Sequence, residues 1–288
     1  MTRGEKAFNE ESLIVALKPL GSYLPNVVVC GSWTIFIYRH WLYKCAGPKM
    51  VVTRDLDIAV PRLLPMVNER SLRDTLLSAH CKERRDPAGV RGLFSEELAP
   101  DPTPRVVHFQ VHEACPYLEF ITPLEGEPGV REVQKGLTAA QLKYLGLLLV
   151  DPLDVAIPTT SLTLRVAAPA AWLFQKGLSF PDRRNMDKRA KDLANLFDLL
   201  NNFPEEQKRE HLRSLKTLIA RYPEWRQILL DNLSTAFPAL DGDGVRMIAE
   251  QRGELYEKLM KDDPRVGAAL FRQTIYSAFK GFLAELVQ

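Results

Sequence analysis

Three acidic residues and one glycine-serine pair carry the chemistry this sequence offers. In Asp55-Leu56-Asp57-Ile58-Ala59-Val60, strict alternation sends Leu56, Ile58 and Val60 to one face of a strand and Asp55 with Asp57 to the other. A second short strand, Tyr117 to Ile121, ends at Pro123 and turns Glu119 away from Leu118 and Phe120. Carboxylates that face one way are hard oxygen donors suited to Mg2+. Two such ions roughly 3.5–4 Å apart stabilise the attacking and leaving oxygens of an in-line displacement at phosphorus. Upstream, Gly31-Ser32 follows the apolar run Val27 to Cys30 and opens a helical segment. Gly31 lets phosphates approach the backbone closely, and Ser32 offers a hydroxyl and N–H groups at a helix start.

An Asp-x-Asp pair by itself is weak, since a second one occurs at Asp241 and Asp243. There the Asp-Gly-Asp-Gly run resembles the start of a calcium loop, but Arg252 stands where the bidentate Glu belongs, so the stretch reads as a turn and helix start. His108, Gln110 and His112 share one face if Arg105 to His112 is a strand, with Cys115 close behind. Their spacing matches no zinc template, and a half-exposed polar face accounts for them. Cys30, Cys45, Cys81 and Cys115 lie far apart with no Cys-x-x-Cys pair, and read as free thiols.

The elements that must position these residues are of two kinds. Up to about residue 166 strand and helix signals mix; beyond it nearly everything reads as helix. The patterning predicts a helix over Glu10 to Leu20 closed by Gly21, a strand over Val27 to Cys30, and a buried helix over Trp33 to Tyr43. Helices are also expected over Asn68 to His80 and Thr138 to Val150, and a strand over Ser161 to Val166. Val90 to Glu97 is ambiguous, and Pro100 to Pro104 is a Pro-rich loop. In the second half, helices are expected over Ala170 to Lys176, Arg184 to Leu200, Glu205 to Arg221, Glu224 to Ser234, Gly244 to Met260 and Val266 to Val287. On Arg184 to Leu200 the apolar stripe is Ala190, Leu193, Ala194, Phe197 and Leu200, with Arg184, Lys188, Lys191, Asp192 and Asn195 opposite. Trp172, Phe174, Trp225, Phe237, Tyr38 and Tyr43 are expected to pack rather than to bind.

Taken together, Gly31-Ser32 in a strand-to-helix turn, Thr53-Arg54-Asp55-Leu56-Asp57-Ile58 and Leu118-Glu119-Phe120-Ile121-Thr122-Pro123 resemble the DNA polymerase-β-like nucleotidyltransferase superfamily. The likeness is greatest to its small bacterial branch of abortive-infection toxin-like proteins. Lys176 and the later Lys188-Arg189-Ala190-Lys191-Asp192-Leu193 are similar to that branch's downstream lysine and Lys-Asp motif, so the match spans roughly residues 26 to 200. The resemblance implies a mixed α/β (α+β) nucleotidyltransferase fold with a mixed sheet over residues 1–166, and a helical domain over 167–288. It implies metal ligation and catalysis by Asp55, Asp57 and Glu119, and nucleotide binding by Gly31, Ser32, Lys176, Lys188, Lys191 and Asp192 in a cleft between the domains. The implied cofactor is a pair of Mg2+ ions, with Mn2+ as a substitute, and the implied substrate is an NTP. The 22 residues between Ser32 and Asp55 exceed what many members use, and leave the triphosphate grip open.

The 38 Lys and Arg against 36 Asp and Glu give a net charge of +2, which excludes a histone-like binder or an acidic tail. Charge is concentrated locally instead: Lys176 to Lys191 carries six basic residues and two acidic ones, enough to hold a triphosphate or an RNA backbone. The solvated-face alternative for that stretch is an i,i+4 pair of Lys188 with Asp192. With no secretory leader and no membrane-length apolar run, the expected location is the cytoplasm. The acceptor is left open between RNA such as tRNA, a protein and a small molecule, and an antitoxin-like partner is an expectation from the resemblance. Two other readings stay open: a non-catalytic nucleotide- or RNA-binding module or partner protein with the same fold, and a purely structural helical interaction protein.

Overall fold

The computed structural model describes residues 9–45, 54–84, 106–253 and 264–287. The chain divides into two compact units, Met1–Tyr43 with Val51–Ala168, and Lys44–Met50 with Pro169–Gln288. The first carries a mixed sheet and the second is helical, which is the expected fold class.

In the first unit, α1 (Glu10–Leu17) starts at a reciprocal cap between Asn9 and Ser12. Pro19 has no N–H to donate, so the chain leaves the α-helix at Leu17, short of the expected Leu20, and runs on as 3-10 turns over Lys18–Asn26. After β1 (Val28–Val29) comes α2 (Trp33–Ile37), which continues as a π-helical turn over Tyr38–Leu42. Trp33, Ile35, Ile37, Tyr38 and Trp41 are all buried, as an all-round apolar segment requires.

The sheet is ordered around β2 (Asp55–Ala59), which lies antiparallel to β1 and parallel to β5 (Tyr117–Pro123). Beyond β5, β4 (His108–Gln110) and β3 (Lys82–Arg84) add antiparallel. On the other side β9 (Thr163–Val166) pairs parallel with β1, and β8 (Leu153–Ala156) pairs antiparallel with β9. Leu56, Ile58, Phe109, Leu118 and Phe120 cover the core face, with Phe109 and Phe120 edge-to-face at 6.0 Å.

Two expectations fail here. Thr138 to Val150 is not a helix: β6 (Val130–Gln134) and β7 (Leu137–Leu142) form a hairpin, followed by a 3-10 turn at Leu145–Leu149. Gly136, at φ +73°, permits the tight reversal, and pairing of Ala140 with Ile121 on β5 captures β7 for the sheet. Helix α3 (Leu72–Ser78) begins later than Asn68, because Asn68 and Glu69 sit in the left-handed region and the Ser71 side chain accepts the Asp74 N–H as cap. Val90 to Glu97 and Pro100 to Pro104 lie outside the described residues.

The second unit contains α4 (Pro169–Ser179), α5 (Met186–Asn201), α6 (Glu205–Arg221), α7 (Arg226–Ala236), α8 (Asp243–Gln251) and α9 (Pro264–Val287). Asp243 opens α8 behind the Gly242 cap, as the turn-and-helix reading expected; the part of Gly244 to Met260 beyond Gly253 lies outside the described residues. Trp172, Phe174 and Phe237 are buried, and Phe237 stacks on Phe279 at 3.6 Å. Trp225 is half-buried and stacks on Tyr222 at 4.8 Å. All four cysteines are free, and burial pushes the Cys81 thiol up to about 11. Among the described residues no helix is long and apolar enough to cross a membrane.

Candidate metal centre

Strand register brings the acids together. Asp57 lies directly beside Glu119 across the β2–β5 pair, and Asp55 lies beside Tyr117. Adjacent strands are about 4.8 Å apart, so neighbouring side chains on one face meet. Main-chain bonds hold this register from both ends: Tyr117 N–H donates to the Arg54 carbonyl at 2.9 Å, and Val60 N–H to the Ile121 carbonyl at 2.9 Å. Asp55, Asp57 and Glu119 are half-buried, and each turns one carboxylate oxygen to a common point, all within 4.8 Å of one another. Among the described residues it is the only cluster of three such groups. His112 is engaged elsewhere, its Nδ1 accepting the Ala114 N–H at 3.1 Å.

Three convergent carboxylates, hard oxygen donors with no sulfur or imidazole among them, fit Mg2+ or Mn2+. At that separation like charges oppose one another by about 1 kcal/mol in water and about 3 kcal/mol near a protein surface, which a divalent cation would offset.

Gly31 is built into the same centre. Its φ is +73°, and a Cβ there would overlap the Asp57 carboxylate, with Asp57 Cγ only 2.8 Å away. Only glycine lets the turn lie on the carboxylate. Cys30 N–H donates to the Asp57 carbonyl at 2.9 Å, and the Thr34 hydroxyl donates to the Gly31 carbonyl. Ser32 is buried beside it and makes no capping hydrogen bond into α2. The acids and the Gly-Ser turn therefore belong to one cluster on one unit.

The other sequence-selected residues sit on the helical unit. Lys176 on α4 is 6% exposed, and its Nζ lies 3.1 Å from Oδ1 of Asp192 on α5, itself 3% exposed. Arg183 holds the second Asp192 oxygen, also at 3.1 Å. Burial pushes the Asp192 carboxyl up, but Lys176, Arg183 and Lys191 outweigh it and hold the group below the usual carboxylate range. Asp192 and Asn195 are thus buried rather than on a solvated face, and Asp192 pairs with Lys176 and Arg183 rather than with Lys188. Lys188 and Lys191 are half-buried.

The row that holds Asp57 and Glu119 continues to His108 on β4, opposite Glu119, and to Arg84 on β3, opposite His108. No local signal marks it, because cross-strand pairing is long-range.

A family model described as Nucleotidyltransferase matches residues 10–221 of the chain. No curated protein and no solved structure matches it.

Proposed function

The chain belongs to this nucleotidyltransferase family, and from that premise we propose that it moves a nucleoside monophosphate from an NTP to an acceptor hydroxyl with two divalent ions at Asp55, Asp57 and Glu119. The observation that carries this reading is the convergence of the three carboxylates beside a glycine turn that only a residue without Cβ can form. Divalent ions bound there would supply Lewis-acid stabilisation of the phosphoryl oxygens. Asp55 and Asp57 would hold that charge from strand β2. Glu119 takes the proton of the acceptor hydroxyl, whose oxygen bonds to the α-phosphorus as the bond to the bridging oxygen of the β-phosphate breaks. Pyrophosphate leaves toward Gly31 and Ser32.

Lys188 and Lys191 are assigned to the nucleotide by their likeness to the abortive-infection branch. Lys176 and Asp192, buried against each other, keep α5 in register with α4. The test is incubation of the chain with each α-labelled NTP and Mg2+, offering cellular RNA and protein as acceptors, beside Asp55→Ala/Asp57→Ala. Transfer by the native chain alone supports the reading, and equal transfer by the double variant overturns it.

A further inference from the structure

The face that carries the metal centre does not end at Glu119. Opposed residues on paired strands share a face, so Asp57, Glu119, His108 and Arg84 form one row across β2, β5, β4 and β3. Asp55 and Tyr117 begin the parallel row, and Gln110 with Lys82 continues it toward the edge. Glu83, between the two edge cations, points to the other face, where it pairs with Arg73 at 2.7 Å. Lys82 and Arg84 are therefore exposed together on the side of the acids. With Gln110 and His112 they line a cavity of about 260 Å³, in which Glu113 is the one opposing charge among the described residues. Between cavity and acids lie the rings of Tyr117, half-exposed, and His108, buried, 5.0 Å apart, so Tyr117 is the ring that reaches the surface.

We propose that this strip is the acceptor site, and that the acceptor is the end of a single-stranded polynucleotide whose terminal hydroxyl reaches the carboxylates while its backbone phosphates lie on Lys82 and Arg84. This rests on the nucleotidyl-transfer reading. Two strand spacings, about 10 Å, separate β5 from β3, the reach of a nucleotide or two from the terminal hydroxyl to a following phosphate. A cationic groove beside an aromatic platform is how proteins hold single strands without reading their sequence, and Tyr117 supplies the platform for a base. Net charge on the molecule is only +2, so the attraction has to be local, and these two cations sit where it is needed.

The experiment measures binding of a short 5′-labelled oligoribonucleotide with a free 3′ hydroxyl across a salt series, and binding of Mg·NTP in parallel. Native chain and Lys82→Ala/Arg84→Ala are compared. The variant should bind the oligonucleotide about tenfold or more weakly, with the slope of log K against log salt reduced by about 1.4, and bind Mg·NTP as before. Equal oligonucleotide affinity in both proteins overturns the proposal. So does label transfer to a protein acceptor by a native chain that binds no oligonucleotide, an outcome that leaves nucleotidyl transfer standing. If the oligonucleotide difference holds but neither protein binds Mg·NTP, the strip stands as a binding surface and the transfer reading falls.

Discussion

Asp57 sits under three constraints at once: its carbonyl accepts from Cys30, its carboxylate lies against Gly31, and it stands beside Glu119. Sites that gather like charges trade stability for function. Without metal, each carboxylate pair is opposed by about 1 to 3 kcal/mol, so removing one charge relieves the fold while removing a proposed metal ligand. Asp57→Asn should therefore melt higher than the native chain in chelator and lower than it in saturating Mg2+, with transfer reduced on the order of 100-fold or more. Thermal melts of both proteins with and without Mg2+ check this. A variant that gains nothing in chelator and still responds to Mg2+ as the native chain does would return these acids to an ordinary solvated face.

At the scale of elements, α6 carries a group that responds to acid. His211 is buried, with the Phe203 ring 6.1 Å away, and burial lowers its pKa from 6.5 to about 4. Between those values the unfolded chain binds the proton and the folded one does not. The contribution is full above about pH 6.5 and falls away toward pH 4, about 3 kcal/mol in all. Asp192, held below its ordinary value, acts further down: its contribution is present above the ordinary carboxylate range and is lost as pH falls through its own lower pKa. Urea unfolding at a series of pH values should show the first loss in the native chain and not in His211→Leu; parallel curves would sink the assignment. The helices that hold these groups were legible because α5 and α6 repeat apolar residues at helical spacing. That Asp192 is buried was not legible, since its partners Lys176 and Arg183 lie on other segments. The strand β2 was legible for the opposite reason: alternation over Asp55 to Val60 needs no partner to be read. Strands β6 and β7 were not, because Ala139, Ala140 and the leucines after them favour a helix until the hairpin turn and β5 decide otherwise. Likewise β3 and β4, three residues each, acquire meaning only through register.

Across the whole first unit, the site depends on closure of the sheet by its most distant segments. Strand β1, which leads into Gly31, is held on one side by β2 and on the other by β9, with Val29 beside Val166. The Tyr38 hydroxyl, fully buried, fastens the same closure by donating to the Ala167 carbonyl, and the Ala167 N–H donates to the Val29 carbonyl at 3.0 Å. Such non-local pairing is slow to form and is lost as a unit. Tyr38→Phe removes the donor and leaves the buried carbonyl short of it, which costs about 1–3 kcal/mol. Burial raises the phenol well above its ordinary value of 10.0, and the nearby Tyr43 and Cys30 add to this. The hydroxyl therefore stabilises the fold fully below about pH 10, and that stability is lost as pH rises through the folded value. The expected outcome for Tyr38→Phe is a lower urea midpoint at pH 7 with an unchanged slope, and a flatter decline than the native chain above pH 10. If the glycine turn after β1 binds the nucleotide as proposed, Mg·NTP should raise the urea midpoint of both proteins by mass action on the folded form. A variant as stable as the native chain at both pH values would show that the sheet closes on strand pairing alone.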